Sequence, residues 1–391
     1  MRLRGKRVGE LTTADLASLL DNRVAESRDR DYKLELPGTS SGAKKDFLAD
    51  VAALSNTEGG VIIYGIGESK DANNQNTGLP EAIPGIDGLN AGKEELRFTS
   101  MLNDGISPGV GGTVKVQAVR SPQTSSDVLI LGVPRGFAGP YMVSFERTNR
   151  FYRRSESGNY LPDVSEIRRM FSERDLWAGA ADNFRNARIS RLAMPGISEW
   201  LYTHSPTFFH ILPLGRLDTV IDLSQRHHQV LGHLFPPGHS GANGRFNTDG
   251  IMGFHESQKF IRSYTQLFRF GGLEGYSTEN VRPSQNNSGV NYLAAKWILT
   301  AAMDWFPKGI AFLSATLGVE PPYALGVSFQ GARNAVIFDE DGFSRGYRID
   351  SDEIRLPLTV VNDTDPETIK SAVWPMMDMI WQSAGLNAAP R

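Results

Sequence analysis

The sequence predicts an α/β chain of two domains, the first built on a mixed sheet. Residues 29–36 alternate charged and apolar side chains, as a half-buried strand does. Residues 44–54 place apolar side chains at helical spacing, and residues 61–66 form a continuous apolar run, as in a strand buried on both faces. Strands on either side of a helix, with further strands downstream, read as a mixed sheet covered by helices. At 391 residues, two domains are expected rather than one. The expected limits are 1–175 for the first and 185–391 for a second α/β domain. The boundary is placed within 173–190, where Trp177-Ala-Gly-Ala-Ala opens a run of small and polar residues.

Each element follows from local pattern. Thr13 to Val24 reads as an amphipathic helix with Leu16, Leu19 and Leu20 on one face. In the strand Asp29 to Leu36, Asp31 and Lys33 share a face, while Tyr32 and Leu34 turn to the core. Phe47, Val51 and Leu54 mark the buried stripe of the next helix, with Ala52 and Ala53 supporting it. Gly59-Gly60 is expected to end that helix. Val61 to Ile66 is the buried strand, and Glu68 lies just past its end. Asp71 to Thr77 is a polar loop. Thr113 to Val119 and Val128 to Val133 read as strands. In the second half, Tyr264 to Phe270, Leu325 to Phe329 and Ile354 to Val361 read as strands. Tyr292 to Phe306 and Pro366 to Ser383 read as helices. Leu293, Trp297, Thr300 and Ala301 are the expected buried stripe of the first, and Pro375 is expected to kink or split the second.

Composition sets bounds. The net charge is −3, from 41 Lys and Arg against 44 Asp and Glu, so any nucleic-acid footprint must be local rather than a coating surface. There is no cysteine, which excludes disulfides and thiolate metal sites and suits a cytoplasmic protein. The basic start, Met-Arg-Leu-Arg-Gly-Lys-Arg, is not followed by an apolar stretch, so it is not read as a signal peptide. No run approaches the ~20 apolar residues of a membrane span, so no membrane role is expected. The seven histidines all lie between His204 and His255. Without a recognised ligand spacing they read as ordinary surface or core residues. Gly238 to Gly244 lacks the Lys-Ser/Thr of a phosphate-binding loop.

Two segments carry candidate chemistry: Glu26-Ser-Arg-Asp-Arg-Asp31-Tyr-Lys33, and Asn56-Thr-Glu-Gly-Gly60 with its strand up to Glu68. They supply three carboxylates and a lysine that converge if both segments meet at one end of a sheet. Such a set can hold a divalent metal and a phosphate. From spacing alone, the plainer reading is a solvated charged face. A basic cluster follows, with Arg147, Arg150, Arg153 and Arg154 around Phe151 and Tyr152. Arginine forks pair with phosphates; the two aromatics read as core. Lys44 and Lys45 at a helix start oppose the macrodipole, which hints at anion binding.

At these residues the chain resembles the AlbA-type domain of the Schlafen family. The shared pattern runs through Glu26-Ser27, Asp31-Tyr32-Lys33, the helix from Lys44-Lys45-Asp46-Phe47 to Leu54, and Asn56-Thr57-Glu58-Gly59-Gly60. It closes with Phe151-Tyr152-Arg153-Arg154 and Ser165-Glu166-Ile167-Arg168. The resemblance covers roughly residues 22–172 and rests on all these parts occurring in order. Asp31 stands where Glu is commoner, and Glu68 where Asp is common. Each keeps a carboxylate but changes its reach. The cysteine zinc site of vertebrate Schlafen cores is absent.

The resemblance implies a metal-dependent endoribonuclease that cleaves tRNA or other structured or single-stranded nucleic acid, RNA rather than DNA, in antiphage defence or a stress response. It implies Glu26, Asp31 and Glu68 as ligands of Mg²⁺ or Mn²⁺, and these with Lys33 as the catalytic set. Lys44, Lys45, Arg150, Arg153 and Arg154 are the candidate nucleic-acid contacts. The alternatives are a non-catalytic nucleic-acid-binding or regulatory module and, less favoured, an ATP-binding protein. The second half is expected to serve regulation or assembly through self-association or a protein partner, an expectation resting on its aromatic helices with Trp297, Trp305, Trp374 and Trp381.

Overall fold

The computed structural model describes residues 2–3, 6–156, 158–192, 201–214, 220–224, 227–257, 259–278, 280–283, 290–338 and 344–391, without the side chains of residues 2, 174, 227, 228, 338, 344 and 345. The chain divides into two compact units, Met1–Asp175 and Leu176–Arg391.

Unit 1 starts with helix α1 (Thr13–Asp21), strand β1 (Arg30–Lys33), helix α2 (Ser41–Ser55) and strand β2 (Gly59–Tyr64). A hairpin of β3 (Gly67–Lys70) and β4 (Asn76–Ala82) leads to helix α3 (Ala91–Gly105), then β5 (Lys115–Arg120) and β6 (Asp127–Pro134). Two more hairpins close it: β7 (Met142–Phe145) with β8 (Thr148–Phe151), and β9 (Arg153–Ser155) with β10 (Gly158–Tyr160). Helix α4 (Val164–Leu192) begins in this unit. Residues 173–190, where the boundary is expected, are helical throughout, and the two units divide within them, after Asp175.

The central sheet is mixed, in the order β1-β2-β6-β5, with β1 parallel to β2 and the other pairs antiparallel. Every residue of β2 is buried, so its apolar run serves both faces of the sheet. Ile62, Tyr64, Leu129 and Leu131 pack with Phe47, Val51 and Phe98 of α2 and α3. Val61, Ile63, Val128 and Ile130 pack with Leu16 and Leu19 of α1. Both leucines are fully buried, each contributing about 1.5–3 kcal/mol.

Two local expectations change. β1 ends at Lys33, and Leu34 is 53% exposed rather than in the core, because the chain bends away from the sheet there. Gly59-Gly60 does not end α2: Asn56 caps it, and the two glycines begin β2. A Cβ on Gly60 would lie 2.3 Å from the carbonyl oxygen of Asp29. The glycine is thus required by close backbone approach.

Unit 2 is built on an eight-stranded antiparallel sheet. Its strands are β11 (Thr207–Pro213), β12 (Asn243–Phe246), β13 (Gly250–Ser257), β14 (Phe260–Phe268), β15 (Leu273–Ser277), β16 (Tyr323–Gln330), β17 (Glu353–Arg355) and β18 (Thr359–Val361). Their order is β12-β13-β14-β15-β11-β16-β17, with β18 also on β16. The segment expected as one strand from Ile354 to Val361 is two, both paired to β16.

Helices α5 (Ala295–Leu317) and α6 (Pro366–Gln382) share a core with one face of this sheet. Both run through an internal proline, Pro307 and Pro375. The buried positions of α5 include Ile298, Ala301, Ala302 and Trp305; Thr300 is exposed and Leu293 belongs to a short strand before the helix. Trp305 and Trp381 are buried, while Trp297 and Trp374 pack against the same core. These side chains are used internally and no longer argue for a partner surface.

On the opposite sheet face, Glu274 is fully buried. Its oxygens accept from Arg188 (2.7 and 2.9 Å) and Tyr264 (2.7 Å) and lie 3.1 Å from His210 Nε2. Burial alone would raise its pKa, but the Arg188 guanidinium holds it well below the carboxylate range. His239 and His255 stack on each other, and the side chains of His227 and His228 lie outside the described residues.

Candidate functional site

The candidate site lies in unit 1, where β1, α2 and the β9–β10 hairpin meet. Because β1 is parallel to β2 with Asp31 opposite Ile62 and Lys33 opposite Tyr64, Asp31 and Lys33 share the α2 face of the sheet. Tyr32 faces α1 and is buried.

Asp31 is not on a solvated face. Arg154 Nη2 donates to its Oδ1 at 2.5 Å, and the Lys33 ammonium lies 2.9 Å from its Oδ2. Burial pushes the Asp31 carboxyl up, but Arg154 and Lys33 outweigh it and keep its pKa low. Lys33 also faces Asp50 of α2 at 3.6 Å and keeps 41% of its side chain exposed. Asn159 Nδ2 donates to Asp50 at 2.6 Å, and Arg154 Nη1 donates to Asn159 at 3.4 Å. The five side chains close a ring. Asp50 is mostly buried, and that burial raises its pKa against the pull of Lys33.

Glu26 approaches from the segment before β1. Its Oε1 accepts from the Tyr32 backbone N–H at 2.6 Å, and its own N–H donates to the Gly78 carbonyl at 2.7 Å. Glu68 Oε2 accepts from the Gly78 N–H at 3.0 Å, and Asn76 donates to Oε1 at 3.1 Å. Gly78 thus ties the two carboxylates into one corner. Burial first, then the nearby charges of Asp31 and Glu68, push the Glu26 carboxyl up to about 7. The acidic side of the site is therefore short of positive charge.

The expected phosphate contacts divide into two groups. Lys44 and Lys45 are half-buried and Arg150 is exposed, and none of the three has an ion pair among the described residues. Arg153 pairs with Glu166 at 3.3 Å. Arg154, 5% exposed, is the internal partner of Asp31 and not a surface contact.

Mg²⁺ and Mn²⁺ prefer hard oxygen donors, which Glu26, Asp31 and Glu68 supply. Among the described residues, however, no three His, Asp or Glu side chains stand together in an arrangement that would hold an ion. Glu26 and Glu68 suit a cation by charge and chemistry; Asp31 suits it only on giving up Lys33.

Three contributors have no role assigned from sequence, although Asn56 and Thr57 belong to the shared pattern. Asp50 interrupts the buried run Phe47-Leu-Ala-Asp-Val-Ala-Ala-Leu54, and a lone aspartate there is a readable signal. Asn56 donates to the carbonyls of Tyr141 (2.7 Å) and Tyr152 (3.0 Å) and accepts from the Tyr141 N–H (2.7 Å). Thr57 Oγ1 accepts from the Arg154 N–H at 3.1 Å while donating to Ala53. Asn56-Thr57 thereby latches the strand that delivers Arg154. Their side-chain roles depend on a partner about a hundred residues on, which spacing cannot reveal.

The sequence profile of the Schlafen AlbA_2 family matches residues 26–163, and that span holds every residue of the ring and latch. Residues 26–163 are a Schlafen AlbA_2 domain. This places a nucleic-acid-related domain in unit 1. No curated protein matches the chain. Among solved structures, the DIP2311 protein from Corynebacterium diphtheriae is similar at 18% identity and a TM-score of 0.27 over 41% of this chain and 28% of that one. The chain thus matches less than a third of that protein's length. The N-terminal domain of a putative ATP-dependent DNA helicase RecG-related protein from Nitrosomonas europaea is similar at 16% identity and a TM-score of 0.27, over 39% of this chain and 94% of that one. Among the described residues, no helix is long and apolar enough to cross a membrane.

Proposed function

We propose that the Schlafen AlbA_2 domain of this chain is a metal-dependent endonuclease acting on RNA, including tRNA, in preference to DNA. The observation that carries the reading is the charge imbalance at Glu26. This carboxylate is half-buried near Asp31 and Glu68, and its pKa is pushed up to about 7. A group near neutrality in such a setting is suited to proton transfer or to a cation. Next to it stands Lys33, whose ammonium is anchored by Asp31 yet open to solvent.

The residues take distinct roles in this proposal. Lys33 binds a phosphate oxygen at the scissile bond. Asp31 stays ionised and fixes Lys33. Glu26 accepts or returns a proton. Lys44, Lys45 and Arg150 bind backbone phosphates, which gives affinity without sequence preference. Glu26 and Glu68, with Asp31 only where it gives up Lys33, would hold Mg²⁺ or Mn²⁺, which when bound would polarise a phosphoryl oxygen and acidify water. A role in antiphage defence or stress, with unit 2 as the regulatory or assembly part, belongs to the same proposal.

A second reading rests on the Arg154–Asp31 pair. A carboxylate already neutralised inside the fold suits a recognition module that binds nucleic acid without cutting it. Binding of a labelled single-stranded RNA, weakened by charge reversal at Lys44, Lys45 and Arg150, is common to both readings. Cleavage that needs Mn²⁺ or Mg²⁺ and stops in EDTA belongs to the first alone. Absence of both binding and cleavage would contradict both.

A further inference from the structure

The geometry points to Asp50 as a positioning residue for Lys33, held in place by Asn159, so that the lysine ammonium meets a nucleic-acid phosphate at a fixed point. This rests on the proposed phosphate role of Lys33. Asp31 alone would leave that ammonium free to swing about a single contact. Asp50 approaches it from α2 at 3.6 Å, and Asp31 from the same strand at 2.9 Å. The two carboxylates belong to different elements, so between them they define a position and not merely a distance. Asp50 is itself fixed. Its side chain is 13% exposed, and Asn159 donates to the oxygen that does not face Lys33. Asn159 is in turn oriented by Arg154, whose other nitrogen holds Asp31. The ring makes the placement of Lys33 depend on β1, α2, β9 and β10 together.

A buried aspartate that served only the fold needs a partner but not this one. Asn159 alone satisfies one of its oxygens, and a neutral asparagine at position 50 would pack equally well. What the carboxylate adds is charge directed at the only ring member that reaches solvent through a flexible stem. Misplacement of a binding group by about 1 Å is enough to cost on the order of a hundredfold in rate.

The test is a double-mutant cycle on the intact chain, with Asp50→Asn, Lys33→Met and both together. Two readouts are taken: cleavage of total tRNA in Mn²⁺, and binding of a fluorescein-labelled single-stranded RNA in EDTA. Asp50→Asn is expected to lower kcat about tenfold or more while KM changes less than about threefold, and to add less than about twofold once Lys33 is Met. Asp50→Glu restores part of the loss. Asn159→Ala, a change at an exposed position, gives a smaller loss of the same kind and serves if Asp50→Asn fails to fold. Equal losses from Asp50→Asn in both backgrounds would overturn the inference, as would kcat and binding untouched by either Asp50→Asn or Asn159→Ala. If the wild-type chain cuts nothing, the nuclease proposal fails by itself. The coupling between positions 50 and 33 is then read from RNA binding, where its presence supports the inference and its absence overturns it.

Discussion

Arg154 and Asp31 meet through a 2.5 Å hydrogen bond between side chains 5% and 6% exposed, 123 residues apart in sequence. The pair joins the opening strand of the Schlafen domain to its closing hairpin. Removing one partner strands a buried charge. Arg154→Met is therefore expected to destabilise unit 1 by about 3–5 kcal/mol, and Arg154→Met combined with Asp31→Leu to recover much of that loss. All six tryptophans lie in unit 2, although Trp177 is on the helix that begins in unit 1, so indole fluorescence reports chiefly on unit 2. Hydrogen exchange of the β2 amides reports on unit 1. Unchanged protection in Arg154→Met would contradict the assignment.

The Asn56 latch makes its own prediction. Asn56→Ala removes three hydrogen bonds to the backbone of Tyr141 and Tyr152. Each leaves a partly buried group unsatisfied, so a loss of about 2–4 kcal/mol is expected. Exchange should rise first in residues 148–155, and RNA binding should weaken because Arg150 and Lys33 lose their common frame. A uniform rise across unit 1 would show that the latch is not local.

How much of this was legible beforehand varies by residue. The α2 helix, the buried β2 strand and the shared face of Asp31 and Lys33 were readable, since each rests on periodicity within a short window. The solvated reading of Asp31 and the surface role of Arg154 were not correctable from sequence, because each depends on the other across 123 residues. The alternation that predicts a core position for Leu34 extends past the point where the backbone leaves the sheet. Pro375 is expected to kink or split its helix, and the helix before Pro307 is expected to stop at Phe306. Both helices continue because Phe306, Ile310, Met376 and Met377 bury against the unit 2 core, which outweighs the roughly 3 kcal/mol a proline costs inside a helix.

Gly60 offers a backbone test. An added methyl would lie 2.3 Å from the Asp29 carbonyl oxygen, whereas nothing lies within 4 Å of one added at Gly112. Gly60→Ala should force β1 and β2 apart and cost more than about 2 kcal/mol, while Gly112→Ala stays within about 0.5 kcal/mol. Thermal unfolding followed by exchange in β1 distinguishes the two. Equal tolerance would mean that the β1–β2 approach is looser than described.

The Glu26 carboxyl supplies a pH test. Its pKa is raised from 4.5 to about 7 in the folded chain, by burial and then by Asp31 and Glu68. The folded state therefore favours the protonated form. That stability is fully present below pH 4.5 and is lost as pH rises through about 7. Glu26→Gln, whose amide oxygen can still accept from Tyr32, should match the wild type below that range. In EDTA at pH 8 it should be more stable by about 1–2 kcal/mol after allowance for solvent screening. A gain in stability over the wild type that is no larger at pH 8 than at pH 4 would contradict the charge imbalance on which the proposed function rests.

The most direct measurement of the central proposal is cleavage of total tRNA and single-stranded DNA by the intact chain in Mn²⁺, Mg²⁺ or EDTA, beside Glu26→Gln, Glu68→Gln and Lys33→Met. These variants are preferred to Asp31→Ala, which would leave Arg154 buried without its partner. Cation-dependent cutting of RNA is expected, reduced by about a hundredfold or more in Glu26→Gln and Lys33→Met while both remain folded. RNA binding without cutting under every condition, or cutting that all three variants retain, would contradict the proposal.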